Sequence, residues 1–272
     1  MSTITPFKYA KNIFVAIGEE HVFNASGDWE RFEKGVLNAL LEIMKYNWTG
    51  FGIIQYIREI GKPIYIVPVS TQEGTCAEDR RSAPGWNGGI KIAIAPSFVN
   101  SVQHGPGSGA DEVLLHELIH ALSIVSGNYQ RGMLTVDGFF YHTIEEFIAI
   151  VLTNTYISAK HKGHSLRKDH RGFSALEPSL TDNERFLLYK GKGQSYYPHL
   201  AQIKALTEKS VKGNLCREFV RHEEATFNPI AYYLNNKQKF EQYFTGLNED
   251  VDDILLKQLR ESEELLREKP FP

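Results

Sequence analysis

The feature that most constrains this chain is an almost wholly apolar stretch, residues 110–126, with three polar side chains at its centre: His116, Glu117 and His120. Its apolar residues leave no polar face, so the stretch predicts a helix buried on all sides and ended by Gly127. Residues four apart lie on one side of a helix, so the two imidazoles are predicted to project together. The fold must supply partners for these groups, because each one left unpaired there costs about 1–3 kcal/mol.

The three polar residues form the pattern His-Glu-x-x-His. In this pattern two histidines bind zinc, and the glutamate acts as the general base that activates a water molecule. A bound metal also removes the problem of unpaired polar groups in a buried helix. The alternative is a pair of core histidines bonded to backbone or carboxylate groups. The position of the motif in a buried helix after a Gly/Pro-rich loop favours the metal.

A catalytic zinc site needs a third protein ligand and leaves the fourth position for water. The third histidine of the metzincin pattern is missing, because Ala-Leu-Ser-Ile-Val-Ser follows His120. Residues 143–160 predict a second helix, which opens with Glu145 and Glu146 before an apolar run. Acidic residues are also common in the first turn of a helix because of its dipole. We therefore expect one of these two glutamates to complete the site, and the residues alone leave the choice open.

The arrangement of H-E-x-x-H and a later glutamate on a second helix resembles the gluzincin zinc peptidases. The string His-Glu-Leu-Ile-His-Ala, with Glu-Glu after it, resembles the clostridial neurotoxin light chains and the NleD-type effector metallopeptidases that bacteria inject into host cells. The resemblance covers residues 111–160. It implies a zincin-like fold and one Zn²⁺ per chain held by His116, His120 and Glu146. It makes Glu145 a supporting residue, or the alternate ligand.

Hydrolysis of an amide by an activated water develops an oxyanion, which a positioned donor must stabilise. The Arg-x-x-Tyr of the light chains does not occur downstream in that form, but Arg167 and His170 share its offset within a basic cluster. Tyr141 and Tyr156 lie nearer in sequence to the expected third ligand. These four residues are the predicted catalytic donors beside Glu117. The alternative for the basic cluster is a solvated loop.

The order of elements, strands first and helices after, predicts an α+β fold. Strands are predicted within residues 13–24, around a turn at 18–20, and at residues 64–69 and 90–95. Pro68 indicates an edge or bulged strand. With the resemblance, we expect residues 1–172 to form a zincin-like metallopeptidase domain that has a small mixed sheet, a buried H-E-x-x-H helix and a second ligand-bearing helix. Residues 173–272 are expected to form a mostly helical C-terminal subdomain packed on it, in one compact unit.

Composition excludes several classes of protein. The chain has 272 residues, 42% of them hydrophobic and 23% charged, close to globular averages and unlike a disordered chain. A net charge of −3 argues against a general nucleic-acid binder, and two cysteines argue against a disulfide scaffold. No apolar run is long enough to span a membrane, and no signal peptide is visible. We expect no nucleic-acid or membrane partner, and a cytoplasmic location in the producing cell, with export by a specialised secretion system as the alternative.

The leading hypothesis is a zinc-dependent endopeptidase with a protein or peptide substrate. The resemblance implies a bacterial secreted effector or toxin that acts on a target-cell protein, with a secretion-system component or chaperone as a further partner. One alternative is a zinc amidase acting on peptidoglycan or another non-protein amide. Another is a non-catalytic binding module with a zincin fold. Glu117 argues against a binding module, which has no need of a general base.

Overall fold

The computed structural model describes residues 3–17, 28–45, 49–69, 76–79, 88–100, 105–130, 132–160, 165–208 and 225–244. Within these ranges the chain has a mixed α+β fold with a five-stranded sheet, a two-stranded sheet, nine α-helices and one short 3-10 helix. The predicted α+β class and small mixed sheet are confirmed. The predicted turn at residues 18–20 and the last part of the predicted C-terminal subdomain, residues 245–272, lie outside the described residues.

The larger sheet is built around three parallel strands. Its strands are β1 (Thr3–Phe7), β2 (Ala10–Ile17), β3 (Ile64–Pro68), β4 (Cys76–Asp79) and β5 (Ile90–Ile94). Their spatial order is β1-β2-β3-β5-β4, with β2, β3 and β5 parallel and the edge strands β1 and β4 antiparallel to their neighbours. Every residue of β3 and β5 is buried, as expected for central strands covered on both faces.

One strand prediction is wrong in detail, and another is tested only in part. Strand β2 covers the first of the two strands predicted within residues 13–24 and pairs with β1, which was not predicted, whereas the second predicted strand lies outside the described residues. Strand β3 lies between β2 and β5, so Pro68 does not mark an edge strand. Pro68 is tolerated because β2 pairs with β3 only as far as Val15↔Ile66, and the next residue, Val69, donates its N–H to Ile94 of β5. The missing N–H of Pro68 therefore removes no bond of either ladder.

The two helices predicted at residues 110–126 and 143–160 are present in the structure, among nine α-helices in the described ranges. The nine are α1 (Trp29–Lys45), α2 (Thr49–Ile60), α3 (Pro96–Asn100), α4 (Ala110–Val125), α5 (Ile144–Lys160), α6 (Asn183–Leu187), α7 (Pro198–Glu208), α8 (Pro229–Asn235) and α9 (Lys237–Glu241). Asp28 caps α1 by accepting the N–H of Arg31 at 3.0 Å. Gly127 follows α4 with φ 68°, a left-handed conformation that ends a helix and that glycine adopts readily.

Helices α4 and α5 form the centre of the molecule. Helix α4 is buried from Asp111 to Ser123 and contacts α1, α2, α5 and strands β4 and β5. It is joined to α5 by a hairpin of β6 (Met133–Val136) and β7 (Phe139–Thr143), which the sequence analysis did not predict. Side chains at the start of α4 meet the end of α5, and side chains further along α4 meet its start, so the two helices pack antiparallel.

The described part of the C-terminal region belongs to the same core. One continuous cluster of buried apolar side chains includes Phe32 of α1, Leu118 of α4, Phe186 of α6 and Ile230 of α8. The division into a peptidase domain and a helical subdomain at residue 172 stays a prediction. Among the described helices, none is both long enough and apolar enough to cross a membrane.

Candidate metal centre

Two histidine side chains of α4 converge at the interface with α5. His116 and His120 are each about 5% exposed, and their Nε2 atoms lie 3.1 Å apart. The separation of four residues places both rings on one face of the helix, as predicted. Because both Nε2 atoms point at the same space, a third group opposite them can complete a small polar site.

The third group is Glu146, in the first turn of α5. Its Oε2 lies 3.2 Å from Nε2 of His116, and its Oε1 lies 3.4 Å from Nε2 of His120. The backbone N–H of Glu146 donates to Oγ1 of Thr143 at 3.2 Å, which fixes the start of the helix. The structure therefore brings together three ligand-type groups, two imidazoles and one carboxylate, from two different helices.

The spacing of these atoms fits a zinc ion. Ligand atoms at about 2.0–2.1 Å from a tetrahedral zinc lie about 3.3 Å from one another. The separations of 3.1, 3.2 and 3.4 Å among His116, His120 and Glu146 are close to that value. Two imidazoles and one carboxylate are also a common ligand set of catalytic zinc sites. The types of residue present therefore fit a metal ion.

Glu145 lies on the other side of the His120 ring. It is fully buried, and its Oε1 is 3.7 Å from Nδ1 of His120. Its Oε2 accepts the backbone N–H of Gln130 at 3.1 Å, which anchors the carboxylate. A carboxylate behind a metal-binding histidine fixes the tautomer and the orientation of the ring. The geometry thus gives the two neighbouring glutamates different positions, with Glu146 facing the Nε2 atoms and Glu145 facing Nδ1.

The electrostatics of the cluster are strongly coupled. Burial lowers the pKa of His116 to about 4, against the opposing effect of Glu146. Burial also acts to lower the pKa of His120, but the nearby carboxylates of Glu145 and Glu146 outweigh it and raise that pKa to about 10. The carboxyl of Glu146 is partly buried, which acts to raise its pKa, yet its two histidine partners hold the pKa well below the ordinary value. The cluster therefore contains an ionised carboxylate facing two nitrogen ligands.

Glu117 is the third polar residue of the motif. It is buried, and among the described residues its Oε2 has no hydrogen-bond partner. Burial raises the pKa of this carboxyl to about 7. A carboxyl that changes its protonation near neutral pH is suited to take up and release a proton.

Arg167 and His170 also lie at the cluster. Nε2 of His170 is 3.5 Å from Oε2 of Glu146, and His116, Glu146 and His170 present ligand-type atoms within 4.8 Å of one another. Arg167 is only 8% exposed, which contradicts the alternative of a solvated loop at this residue. Its Nε donates to the carbonyl of Asp169 at 2.9 Å and its Nη2 to that of His170 at 3.3 Å. Arg167 therefore holds the turn that carries His170.

The two predicted tyrosines are not brought to the cluster. The Tyr141 hydroxyl lies 3.3 Å from Nε2 of His199, inside an aromatic core. The Tyr156 hydroxyl donates to Oδ2 of Asp111 at 2.5 Å, near the start of α4. Both hydroxyls are thus bonded away from the His116–His120–Glu146 cluster.

Two residues beside the cluster are not among the predicted site residues. The Tyr129 ring lies 6.1 Å from that of His120, and the His142 ring lies 5.4 Å from that of His170. His142 has φ 66°, an uncommon conformation for a residue other than glycine. Neither residue stands in a recognisable motif, because both owe their position to the unpredicted β6–β7 hairpin and the loop before it.

No protein-family model, no curated protein and no solved structure matches this chain. The function must therefore be argued from the site itself.

Proposed function

We propose that this protein is a zincin-type, zinc-dependent endopeptidase whose metal ligands are His116, His120 and Glu146. The observation that carries the proposal is the convergence of two imidazole nitrogens, 3.1 Å apart, with the two oxygens of one carboxyl group, 3.2 and 3.4 Å from them, at the interface of α4 and α5. A second feature supports it. The unpaired carboxyl of Glu117 is buried on the same helix, directly next to the first ligand.

Glu117 would serve as the general base and then as the general acid. When bound, zinc acts as a Lewis acid and allows water to attack at neutral pH. Glu117 accepts the proton of the attacking water and returns it to the nitrogen of the leaving amine. The raised pKa of this carboxyl, about 7, suits both transfers.

His170 is the best-placed donor for the oxyanion that develops on the substrate carbonyl. Its side chain is 38% exposed, and its Nε2 lies 3.5 Å from Glu146, so it borders the open side of the cluster. Donors fixed in advance at such a position stabilise the transition state more than the ground state. Arg167 would act as a positioning residue, since its guanidinium binds the carbonyls of Asp169 and His170.

The metal is tested by measuring zinc per chain by mass spectrometry on protein purified without added metal. We expect about one zinc in the wild type and loss of zinc in His116→Ala and in Glu146→Gln. Tyr9→Ala, an exposed substitution on the β1–β2 turn, is the matched control and should retain zinc. A wild type that takes up no zinc even when it is supplied contradicts the proposal.

Catalysis is tested on a mixture of peptides that covers many sequences, with products identified by mass spectrometry. We expect cleavage by the zinc-loaded wild type and a fall of about 10²–10⁴-fold in rate for Glu117→Gln, because general base catalysis contributes an effect of that size. If Glu117→Gln retains zinc, its lower rate is caused by the loss of the general base and not by the loss of the metal. The implied target-cell substrate and secretion partner stay predictions.

A further inference from the structure

Large apolar side chains are exposed next to the candidate metal centre. Among the described residues, six large hydrophobic side chains are exposed, and three lie on the segment that joins α4 to α5. These three are Tyr129 at 38%, Met133 at 68% and Phe140 at 44% exposure. Apolar side chains gathered on one surface indicate a binding site, whereas scattered ones are ordinary.

The exposed rings continue into the cluster without a break. From Phe140 the ring centroids are 4.0 Å to His142, 5.4 Å from His142 to His170, and 6.3 Å from His170 to His116. On the other side, His116 and His120 are 4.7 Å apart, and His120 is 6.1 Å from Tyr129. The row therefore begins and ends with an exposed aromatic ring and has the metal-ligating histidines at its centre.

The backbone of β7 has an uncommon conformation at His142, whose ring belongs to this row. His142 has a left-handed φ of 66°, which is disfavoured for a side chain with a Cβ. Its ring nevertheless lies between those of Phe140 and His170. Met133 pairs with Thr143 across the hairpin, so its backbone lies next to this position. Disfavoured backbone kept next to a cluster of polar ligands is typical of a functional surface.

We propose that Tyr129 and Phe140, with Met133, form the substrate-binding walls on either side of the metal centre. The occupant is a peptide segment with bulky apolar residues, aromatic or long aliphatic, on both sides of the scissile bond. This inference rests on the proposed function and specifies its substrate class. The two exposed rings stand at the two ends of the row of rings that contains the centre, so each is the surface for a side chain on one side of the scissile bond.

The chemistry of the walls favours a peptide over a sugar polymer. Aromatic rings also stack on sugars, but sugar hydroxyls need hydrogen-bond partners as they lose water. Phe140 and Met133 have no hydrogen-bonding group to offer, and they are the two most exposed side chains of the three. Apolar side chains of a peptide have no hydrogen bonds to water to lose when they contact Phe140 and Met133, and the burial of both apolar surfaces is favourable.

The test uses peptide binding, which does not depend on turnover. Two blocked hexapeptides, one with Phe-Leu and one with Ser-Ala at the centre, are titrated calorimetrically into the full-length Glu117→Gln protein, with and without zinc. We expect about tenfold tighter binding of the Phe-Leu peptide, as for the burial of one bulky apolar side chain. The preference should fall below about threefold when Tyr129→Ala and Phe140→Ala are added, and should persist with Tyr9→Ala.

The outcomes separate this proposal from the proposed function. A Phe-Leu preference that disappears with the two ring substitutions supports the walls, even if zinc is never bound and nothing is cleaved. Equal binding of both peptides, or a preference that survives the ring substitutions, overturns the proposal even if zinc and cleavage are present. Tighter binding of an N-acetylglucosamine oligomer than of either peptide overturns it in favour of a sugar-containing substrate.

Discussion

Helices α4 and α5 enclose two buried polar clusters that differ in how they are satisfied. Near the start of α4, Oδ2 of Asp111 accepts hydrogen bonds from the Lys160 ammonium at 2.6 Å and from the Tyr156 hydroxyl at 2.5 Å. Further along the same interface, His116 and His120 bring two Nε2 atoms within 3.1 Å. There the Nδ1 of His116 and the Oε2 of Glu117 find no hydrogen-bond partner in the described part of the chain.

The difference between the two clusters shows that the burial of polar side chains does not by itself identify a functional site. The first cluster, Asp111, Tyr156 and Lys160, balances an acid with a base and holds the two helices in register. The second gathers two imidazole nitrogens and a carboxylate around one point, a set of groups that a metal ion can bind together. We infer that the first cluster is structural and the second functional, and the predictions below test that contrast.

The largest effect is expected for Lys160→Met. This change leaves the buried Asp111 carboxylate without its ion-pair partner, which should lower the free energy of unfolding by about 3–5 kcal/mol. Denaturant unfolding monitored by circular dichroism measures it. Lys239→Met, which removes an exposed ion pair with Glu184, should leave the midpoint nearly unchanged. If Lys160→Met and Lys239→Met lower the free energy of unfolding by the same amount, the first cluster does not stabilise the packing of α4 against α5.

His199 tests whether a buried imidazole affects stability without any metal. It is fully buried between Phe186 and Tyr141, and burial lowers its pKa to about 4. Because the folded pKa is below the unfolded value of about 6.5, unfolding takes up a proton between these pH values. Stability is thus fully present above pH about 6.5 and falls by about 3 kcal/mol as the pH drops to about 4.

The check is the difference in unfolding free energy between the wild type and His199→Gln, measured as a function of pH. The difference should decrease from pH 6.5 to 4 and be constant above pH 7. Parallel curves for the two proteins would show that His199 does not contribute this dependence.

Zinc should stabilise the second cluster and leave the first unaffected. At a free zinc concentration one hundred times the dissociation constant, the wild type should gain about 2.7 kcal/mol of unfolding free energy. His120→Ala should gain nothing, whereas Tyr9→Ala should gain as much as the wild type. Thermal unfolding with and without zinc measures this, and stabilisation that persists in His120→Ala would place the metal elsewhere.

The smallest effect is expected at Glu145, which faces His120 from outside the cluster. Glu145→Gln should weaken zinc binding by about 10–100-fold, the usual cost of losing a carboxylate behind a ligand. Glu146→Gln should abolish zinc binding, and competition with a chelating dye measures the zinc affinity of both variants. If Glu145→Gln abolishes binding and Glu146→Gln only weakens it, Glu145 is the ligand, which is the alternative that the sequence left open.

The sequence predicted the helices well because their signals are local. The apolar run of α4 and its ending at Gly127 each depend on neighbouring residues. It failed on β4, on the β6–β7 hairpin and on the place of Pro68, because strand pairing depends on residues far apart in the chain. Hairpin β6–β7 in turn decides where Tyr129 and His142 lie, so both residues escaped prediction.

By itself the sequence determined that two histidines and a glutamate share one turn of a buried helix, because the helical repeat fixes that geometry. It also determined that Glu145 and Glu146 begin the next helix. Only the tertiary structure decided which glutamate faces the histidines, since a difference of one residue rotates a side chain by about 100° around the helix axis.

The tertiary structure also brought Arg167 and His170 to the cluster and directed Tyr141 and Tyr156 away from it. The distances of these residues from the cluster depend on how segments far apart in the chain pack together.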